Sequence, residues 1–127
     1  MKIGRRTFVA GALAAGAAGP VFAAKETEGM YGLIGRMRAA VGKRDELIAI
    51  LLEGVETMPG CLSYVVARDP ADADAIWITE VWDGRESHSA SLQLPAVRAA
   101  IAKARPIIAG FDSSTETEPV DGVGLAR

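Results

Sequence analysis

Cysteine and histidine are almost missing from this chain of 127 residues, which has one of each, Cys61 and His88. A single cysteine cannot close an internal disulfide, and one cysteine with one histidine cannot build a Cys/His metal cluster. An excess of positive charge is also missing. With 14 Lys and Arg against 16 Asp and Glu the formal net charge is −2, which disfavours a nucleic-acid partner, since phosphates call for a net positive face. No long apolar run follows residue 24, so no stable membrane association is expected of the remaining chain. It holds no internal repeat and no low-complexity segment. What is left is one small domain held by its core, with help expected from a second subunit.

The first 24 residues read as an address. Arg5-Arg6-Thr7-Phe8-Val9 sets a twin arginine before the apolar run from Phe8 to Ala18, and Pro20 with Val21-Phe22-Ala23 supplies a cleavage region. This resembles a twin-arginine export signal cut after Ala23 or Ala24, which implies a periplasmic or otherwise exported protein. An uncleaved anchor is the other reading, but Phe8 to Ala24 is only 17 residues, Gly-rich and at the lower limit for a bilayer span. Residues 25–29 form a short linker. Losing the leader removes Lys2, Arg5 and Arg6, so 11 basic residues face 16 acidic ones and the formal charge falls to −5.

The body of the chain alternates between two periodicities. Met30 to Arg38 reads as a strand, with Tyr31, Leu33 and Met37 on one side and Met30, Ile34 and Arg36 on the other. Gly32 and Gly35 within it predict a close approach by another backbone or a ligand. A helix opens at Gly42-Lys43-Arg44-Asp45, with Leu47, Ile48, Leu51, Leu52 and Val55 as its apolar stripe, and ends before Met58-Pro59-Gly60. Cys61 to Arg68 and Ala75 to Trp82 read as an antiparallel hairpin joined by the turn residues Asp69-Pro70-Ala71-Asp72.

Asp83-Gly84-Arg85-Glu86 has the spacing of a capping box and predicts the start of the helix that carries His88. Leu94-Pro95 breaks that helix and begins another, Ala96 to Arg105, with Val97, Ile101, Ala104 and Ile108 as its buried stripe. Ser113 to Glu118 alternates weakly and has the length of a last edge strand. Residues 30–120 thus form one domain, and residues 121–127, with Gly122 and Gly124, form a tail that is flexible in isolation.

This order, βαββαβ, defines an α+β fold of ferredoxin-like type, an antiparallel sheet with its helices on one face. Strand Ala75 to Trp82 is apolar on both sides, with Trp77 and Val81 on one and Ile76, Ile78 and Trp82 on the other. A domain of about 100 residues buries only about 65% of its unfolded surface, so an uncovered apolar face is a liability. A homodimer joined sheet to sheet covers it.

Pro59-Gly60-Cys61-Leu62-x-Tyr64, then Asp69, Glu80-Val81-Trp82, Arg85-Glu86-x-His88 and Pro95 follow one another in an order and spacing that resembles a family. It is the antibiotic biosynthesis monooxygenase, or quinol monooxygenase-like, domain of the dimeric α/β barrel superfamily, and the resemblance covers about Met30 to Val120. It implies a homodimer with a pocket in each subunit between sheet and helices. It also implies a reaction that uses dioxygen without a cofactor or metal to oxidise a small quinol-like or phenolic aromatic.

Such chemistry needs a base to make an electron-rich phenolate and an apolar cavity to exclude water. Within the resemblance His88 is the candidate base, since imidazole titrates near neutral pH. Tyr64, Trp77 and Trp82 are candidate aromatic walls. Arg36 is a candidate phenolate stabiliser if its strand face lines the pocket, and Glu80 a candidate partner that orients His88 or pairs an arginine. A surface or packing role is the competing reading of His88, and core or dimer packing that of both tryptophans. Cys61 reads as a small buried hydrophobe and Asp69 as a turn residue.

The chain also departs from the family pattern. Ser91 stands where relatives commonly have a second histidine, and Leu94 where a small hydroxyl residue often precedes the proline. Asparagine, which positions substrate in some relatives, is absent. Ala96 to Arg105 contains no histidine to serve as an axial ligand, which excludes the haem-degrading branch. A non-catalytic dimeric module that binds a small hydrophobic ligand is the alternative to the monooxygenase.

Overall fold

A computed structural model describes residues 29–55 and 57–126. The leader expected over residues 1–24, and all but the last residue of the linker, lie outside the described residues. Four strands, β1 (Tyr31–Ala39), β2 (Cys61–Arg68), β3 (Ala75–Trp82) and β4 (Ile108–Thr117), form one sheet in the order β2-β3-β1-β4. Every neighbouring pair is antiparallel. Helices α1 (Arg44–Glu53), α2 (Arg85–Ser91) and α3 (Pro95–Ala104) cover one face, and a short 3-10 turn (Arg105–Ile107) leads into β4. This is the ferredoxin-like α+β arrangement expected from the element order.

β2 and β3 have the predicted ends because each is a dense run of β-branched and aromatic residues bounded by turn chemistry. In the turn, Asp69 Oδ1 accepts the Ala71 N–H at 2.8 Å and Asp72 Oδ1 accepts the Asp74 N–H at 3.0 Å. The first of these bonds, helped by the Trp77 indole, holds the Asp69 carboxyl below the usual carboxylate range. Arg44, at the start of α1, donates to the carbonyls of Asp69, Asp72 and Ala75, so the hairpin end is tied to the first helix.

Three expectations are corrected. β4 begins at Ile108, five residues before the predicted Ser113. Its Ser/Thr-rich sequence has little strand signal, and its length comes from pairing with β1 along almost the whole edge, with a register shift between Arg36 and Met37 that leaves Asp112 unpaired in the ladder. The capping box does not form. Helix α2 starts at Arg85 behind an extended Gly84, with no side-chain cap; glycine has no side chain to accept an orphan N–H.

The helix stripes are also rotated from those predicted. In α1 the buried residues are Leu47 and Ile50, whereas Leu52 is 46% exposed. Leu47, Ile50, Leu51 and Gly54 follow the i, i+3, i+4, i+7 rule and face the sheet. In α3 the buried residues are Ala100 and Ala104, while Val97 and Ile101 border a cavity and Ile108 belongs to β4. A Cβ on Gly54 would stand 3.0 Å from that of Ala100, so the two helices approach through their small residues.

The core joins Met37, Ala39, Leu47, Ile50, Ile76, Ile78, Ala100 and Ala104. Gly32 admits the end of the chain, because a Cβ there would collide with the Thr117 and Pro119 side chains. Beyond Pro119 the tail reaches β2, where the Ala126 N–H donates to the Leu62 carbonyl at 2.9 Å. Leu47 is fully buried at the centre of the core. Leu47→Ala is expected to lower the unfolding free energy by about 2–5 kcal/mol through lost burial and a residual cavity, measured by urea denaturation; a change below about 0.5 kcal/mol would contradict this packing.

Candidate functional site

Strand alternation decides which polar side chains meet the helices. Tyr64 of β2 is registered opposite Glu80 of β3, and Cys61 opposite Trp82. Tyr64, Glu80 and Trp82 therefore share the helix-facing side with Ile76 and Ile78. Above them α1 and α3 meet closely near Gly54 and Ala100 and leave an open space towards α2. The result is a cavity of about 580 Å³, within the usual range for a small-molecule site. Met37, Leu51, Val97, Ile101 and Phe111 contribute to its apolar wall, and Tyr64, Glu80 and His88 supply a polar end.

His88 is presented by α2, whose position depends on Gly60. That residue has φ of +84°, and a Cβ there would lie closer than 3.0 Å to the Ser87 side chain and to Asp83 Oδ1. Its carbonyl accepts the Asp83 N–H at 2.8 Å. The Pro-Gly turn before β2 thus supports the helix that aims the imidazole.

The His88 ring lies between two aromatic rings, with centroids 5.4 Å from both Tyr31 and Trp82. Its Nε2 is 3.9 Å from Glu80 Oε1, and the two side chains are 21% and 16% exposed. The same carboxylate oxygen accepts the Trp82 indole N–H at 2.8 Å. Glu80 is thereby fixed within the cavity wall, next to the imidazole. Glu80 Oε2 and the Tyr64 hydroxyl have no hydrogen-bond partner among the described residues. Burial, reinforced by the Glu80 charge, pushes the Tyr64 hydroxyl well above its ordinary value, so it stays protonated and can donate. A half-buried donor and acceptor left without protein partners can each take one from a ligand. A ligand hydroxyl set between them would satisfy both.

Of the six residues singled out from sequence, the structure gathers His88, Tyr64, Trp82 and Glu80 at one cavity. Trp77 and Arg36 lie on the opposite sheet face. They are registered against each other, with the Arg36 guanidinium 5.8 Å from the Trp77 ring centroid. The Trp77 indole donates to Asp69 at 2.9 Å, and Arg36 pairs with Asp69, Asp72 and Asp112. Trp77 is one residue out of phase with the helix-facing Ile78, Glu80 and Trp82 along β3, and Arg36 is one residue out of phase with Met37 along β1. Their expected place in the pocket is therefore corrected.

Sequence reasoning missed Met37, Phe111, Arg105 and Tyr31. Phe111 and Arg105 come to the cavity through β4 and the turn that precedes it, whereas Met37 is carried by β1 on the face it shares with Ile76 of β3. Ser91 is buried, and its hydroxyl donates to the His88 carbonyl at 2.6 Å, so it is used by the helix backbone. Burial, above all, raises the Cys61 thiol, which disfavours the thiolate that redox work requires. No group of three or more His, Cys, Asp and Glu side chains among the described residues is arranged to hold a metal ion. No described helix is long and apolar enough to cross a membrane.

The family described as antibiotic biosynthesis monooxygenase matches residues 30–103. The chain belongs to this family. A solved structure from Chloroflexus aurantiacus J-10-fl, named for the same family, is 67% identical, with a TM-score of 0.75 and coverage of 76% of this chain and 99% of that one. One from Caulobacter crescentus CB15, also named for it, is 20% identical with a TM-score of 0.68, covering 75% of this chain and 93% of that one. SnoaB of Streptomyces nogalater, described as a cofactor-independent oxygenase, is 11% identical with a TM-score of 0.61, covering 75% and 97% of the two chains. The last two share the fold. No curated protein matches the chain.

Beside the imidazole a second cluster ties β4 to α2. Glu116 accepts the Tyr31 hydroxyl at 2.8 Å and the Arg85 guanidinium at 2.8 and 3.2 Å, while Arg85 stacks 4.5 Å from the Tyr31 ring centroid. Arg85 first, and Tyr31 second, hold the Glu116 carboxyl down to about 2 from 4.5. A depressed carboxyl contributes stability above its unfolded value and loses it on protonation in the fold. The gap in Tm between the wild type and Glu116→Gln is therefore expected to be full above pH 4.5 and to close as the pH falls towards 2, as followed by circular dichroism. A gap independent of pH over that window would contradict the cluster.

Proposed function

We propose that this protein is an exported, cofactor-independent monooxygenase that uses dioxygen to oxidise a small quinol-like or phenolic aromatic. The observation that carries the reading is the polar end of the apolar cavity, where the Glu80 and His88 side chains stand together and Glu80 Oε2 and the Tyr64 hydroxyl have no hydrogen-bond partner among the described residues. The fold shared with SnoaB, described as a cofactor-independent oxygenase, supports it. The arginine pair Arg5-Arg6 and the apolar run behind it support export to the periplasm by the twin-arginine route.

A phenol entering this end donates its O–H to the imidazole or to Glu80 Oε2 and receives a hydrogen bond from Tyr64. Loss of the proton to His88 gives a phenolate, and the adjacent Glu80 stabilises the resulting imidazolium. The phenolate is rich enough in electrons to react with dioxygen, and the apolar wall keeps water from the reacting carbon. A phenol taken to a quinone in this way consumes one O₂, retains one oxygen atom and releases the other as water. Dioxygen is apolar and enters such a wall without a dedicated site.

The same reading makes the protein a homodimer. The sheet face away from the helices exposes Ile34, Val65 and Trp77, with Val65 at 53%. A second copy covers this face and completes a barrel of two sheets.

Two measurements test these statements. Oxygen uptake with menadiol-like and anthrone-like substrates is expected for the wild type and is expected to fall about 10²-fold or more in His88→Ala. No uptake by the wild type would remove the enzyme and leave a small-hydrophobic-ligand-binding module of the same fold; unchanged uptake in the variant would remove His88 as base. Light scattering after gel filtration is expected to give twice the monomer mass, and the monomer mass for the double variant Ile34→Glu, Val65→Glu. A monomeric wild type would overturn the dimer.

A further inference from the structure

The cavity has a second polar feature, and its charge is opposite to that of Glu80. Arg105, the first residue of the turn between α3 and β4, lines the cavity. All the other described arginines and lysines except Arg98 are engaged. Six have a carboxylate within 4.0 Å, and Arg44 donates to three backbone carbonyls. Arg98 and Arg105 have no such partner among the described residues, and of the two only Arg105 reaches the cavity. The C-terminus of α3 favours a cation at this point, so the fold presents the guanidinium there without spending it on a carboxylate.

The two polar features are well separated. Glu80 is registered opposite Leu33 of β1 and Phe111 opposite Met37, four residues further along that strand. At roughly 3.3 Å per residue the cavity runs about 13 Å from Glu80 to Phe111, and Arg105 precedes Phe111 in the chain at that far end. An aromatic ligand long enough to span it has one end beside a carboxylate and the other beside a guanidinium.

We propose that Arg105 is a specificity-determining residue that selects aromatic ligands bearing a carboxylate at the end remote from the hydroxyl read by Glu80 and Tyr64. An arginine suits this task because its planar fork matches a carboxylate through two parallel hydrogen bonds. The opposite orientation is rejected, since it would drive the ligand's carboxylate against Glu80 and leave Arg105 facing a neutral group. The charge separation along the cavity therefore sets both the class of ligand and the way it enters. This inference deepens the oxygenase reading and rests on it for the end of the cavity that receives the hydroxyl.

Binding of 6-hydroxy-2-naphthoate and of its methyl ester, followed by ligand fluorescence, tests it without requiring turnover. The wild type is expected to bind the acid about tenfold more tightly than the ester, a ratio that shrinks in high salt. Arg105→Gln is expected to bring the ratio to about one, chiefly by weakening the acid. Glu80→Gln is expected to keep the ratio. Equal affinities in the wild type, a ratio that survives in Arg105→Gln, or failure of the wild type to bind either compound would overturn the inference. Oxygen uptake is measured separately, so absence of turnover with the ratio intact removes the oxygenase and leaves the role of Arg105 standing.

Discussion

The register of β3 between β1 and β2 is the constraint on which the rest of the site depends. It places Glu80 opposite Tyr64 on one side and opposite Leu33 on the other, with Trp82 two residues on, so that all three polar or aromatic groups face the helices. The bond from the Trp82 indole to Glu80 then holds the carboxylate against the wall and beside His88. A one-residue slip would turn Glu80 and Trp82 to the outer face and bring Trp77 and Val81 into the cavity. The cavity would then lose its carboxylate. Arg44, by bonding three carbonyls at the β2–β3 turn, helps to secure that register.

The cavity exists because the helices are not equally close to the sheet. Small residues let α1 and α3 meet near Gly54 and Ala100, while α2 is seated on the Gly60 turn and carries His88 in from the side. The core below is well filled, with Leu47, Ile76 and Trp82 almost wholly buried. Space remains where Val97 and Ile101 turn towards Phe111 and Met37. Apolar side chains that look like core in the sequence serve here as the wall of a ligand site.

Much of the fold was legible in the chain. β2 and β3 were readable to the residue because alternation, β-branched content and flanking turns all agree. The faces of β3 were readable too, and they already separate Trp77 from Trp82. Treating both tryptophans as walls of one pocket set aside that alternation; the structure enforces it. The helix stripes were less legible, since apolar residues surround much of α1 and only contact with the sheet selects Leu47 and Ile50 over Leu52. β4 was least legible because Ser113 to Thr117 has no apolar pattern, and its strand character comes from the free edge of β1. Phe111 and Arg105 were missed with it, since nothing local marks them as neighbours of Glu80.

Local physics, written in the order of residues, therefore determined the element types, the ferredoxin-like order and the hairpin. The resemblance carried by Pro59-Gly60-Cys61, Glu80-Val81-Trp82 and His88 determined the family. Tertiary structure decided which apolar residues are core and which line a cavity, which face Arg36 occupies, and that an arginine from the α3–β4 turn shares a space with a glutamate from β3. The division follows from range. Turns, strand alternation and helix periodicity act over a few residues and leave a trace in the sequence, whereas the rotation of a helix and the contents of a cavity are set by partners that lie tens of residues away.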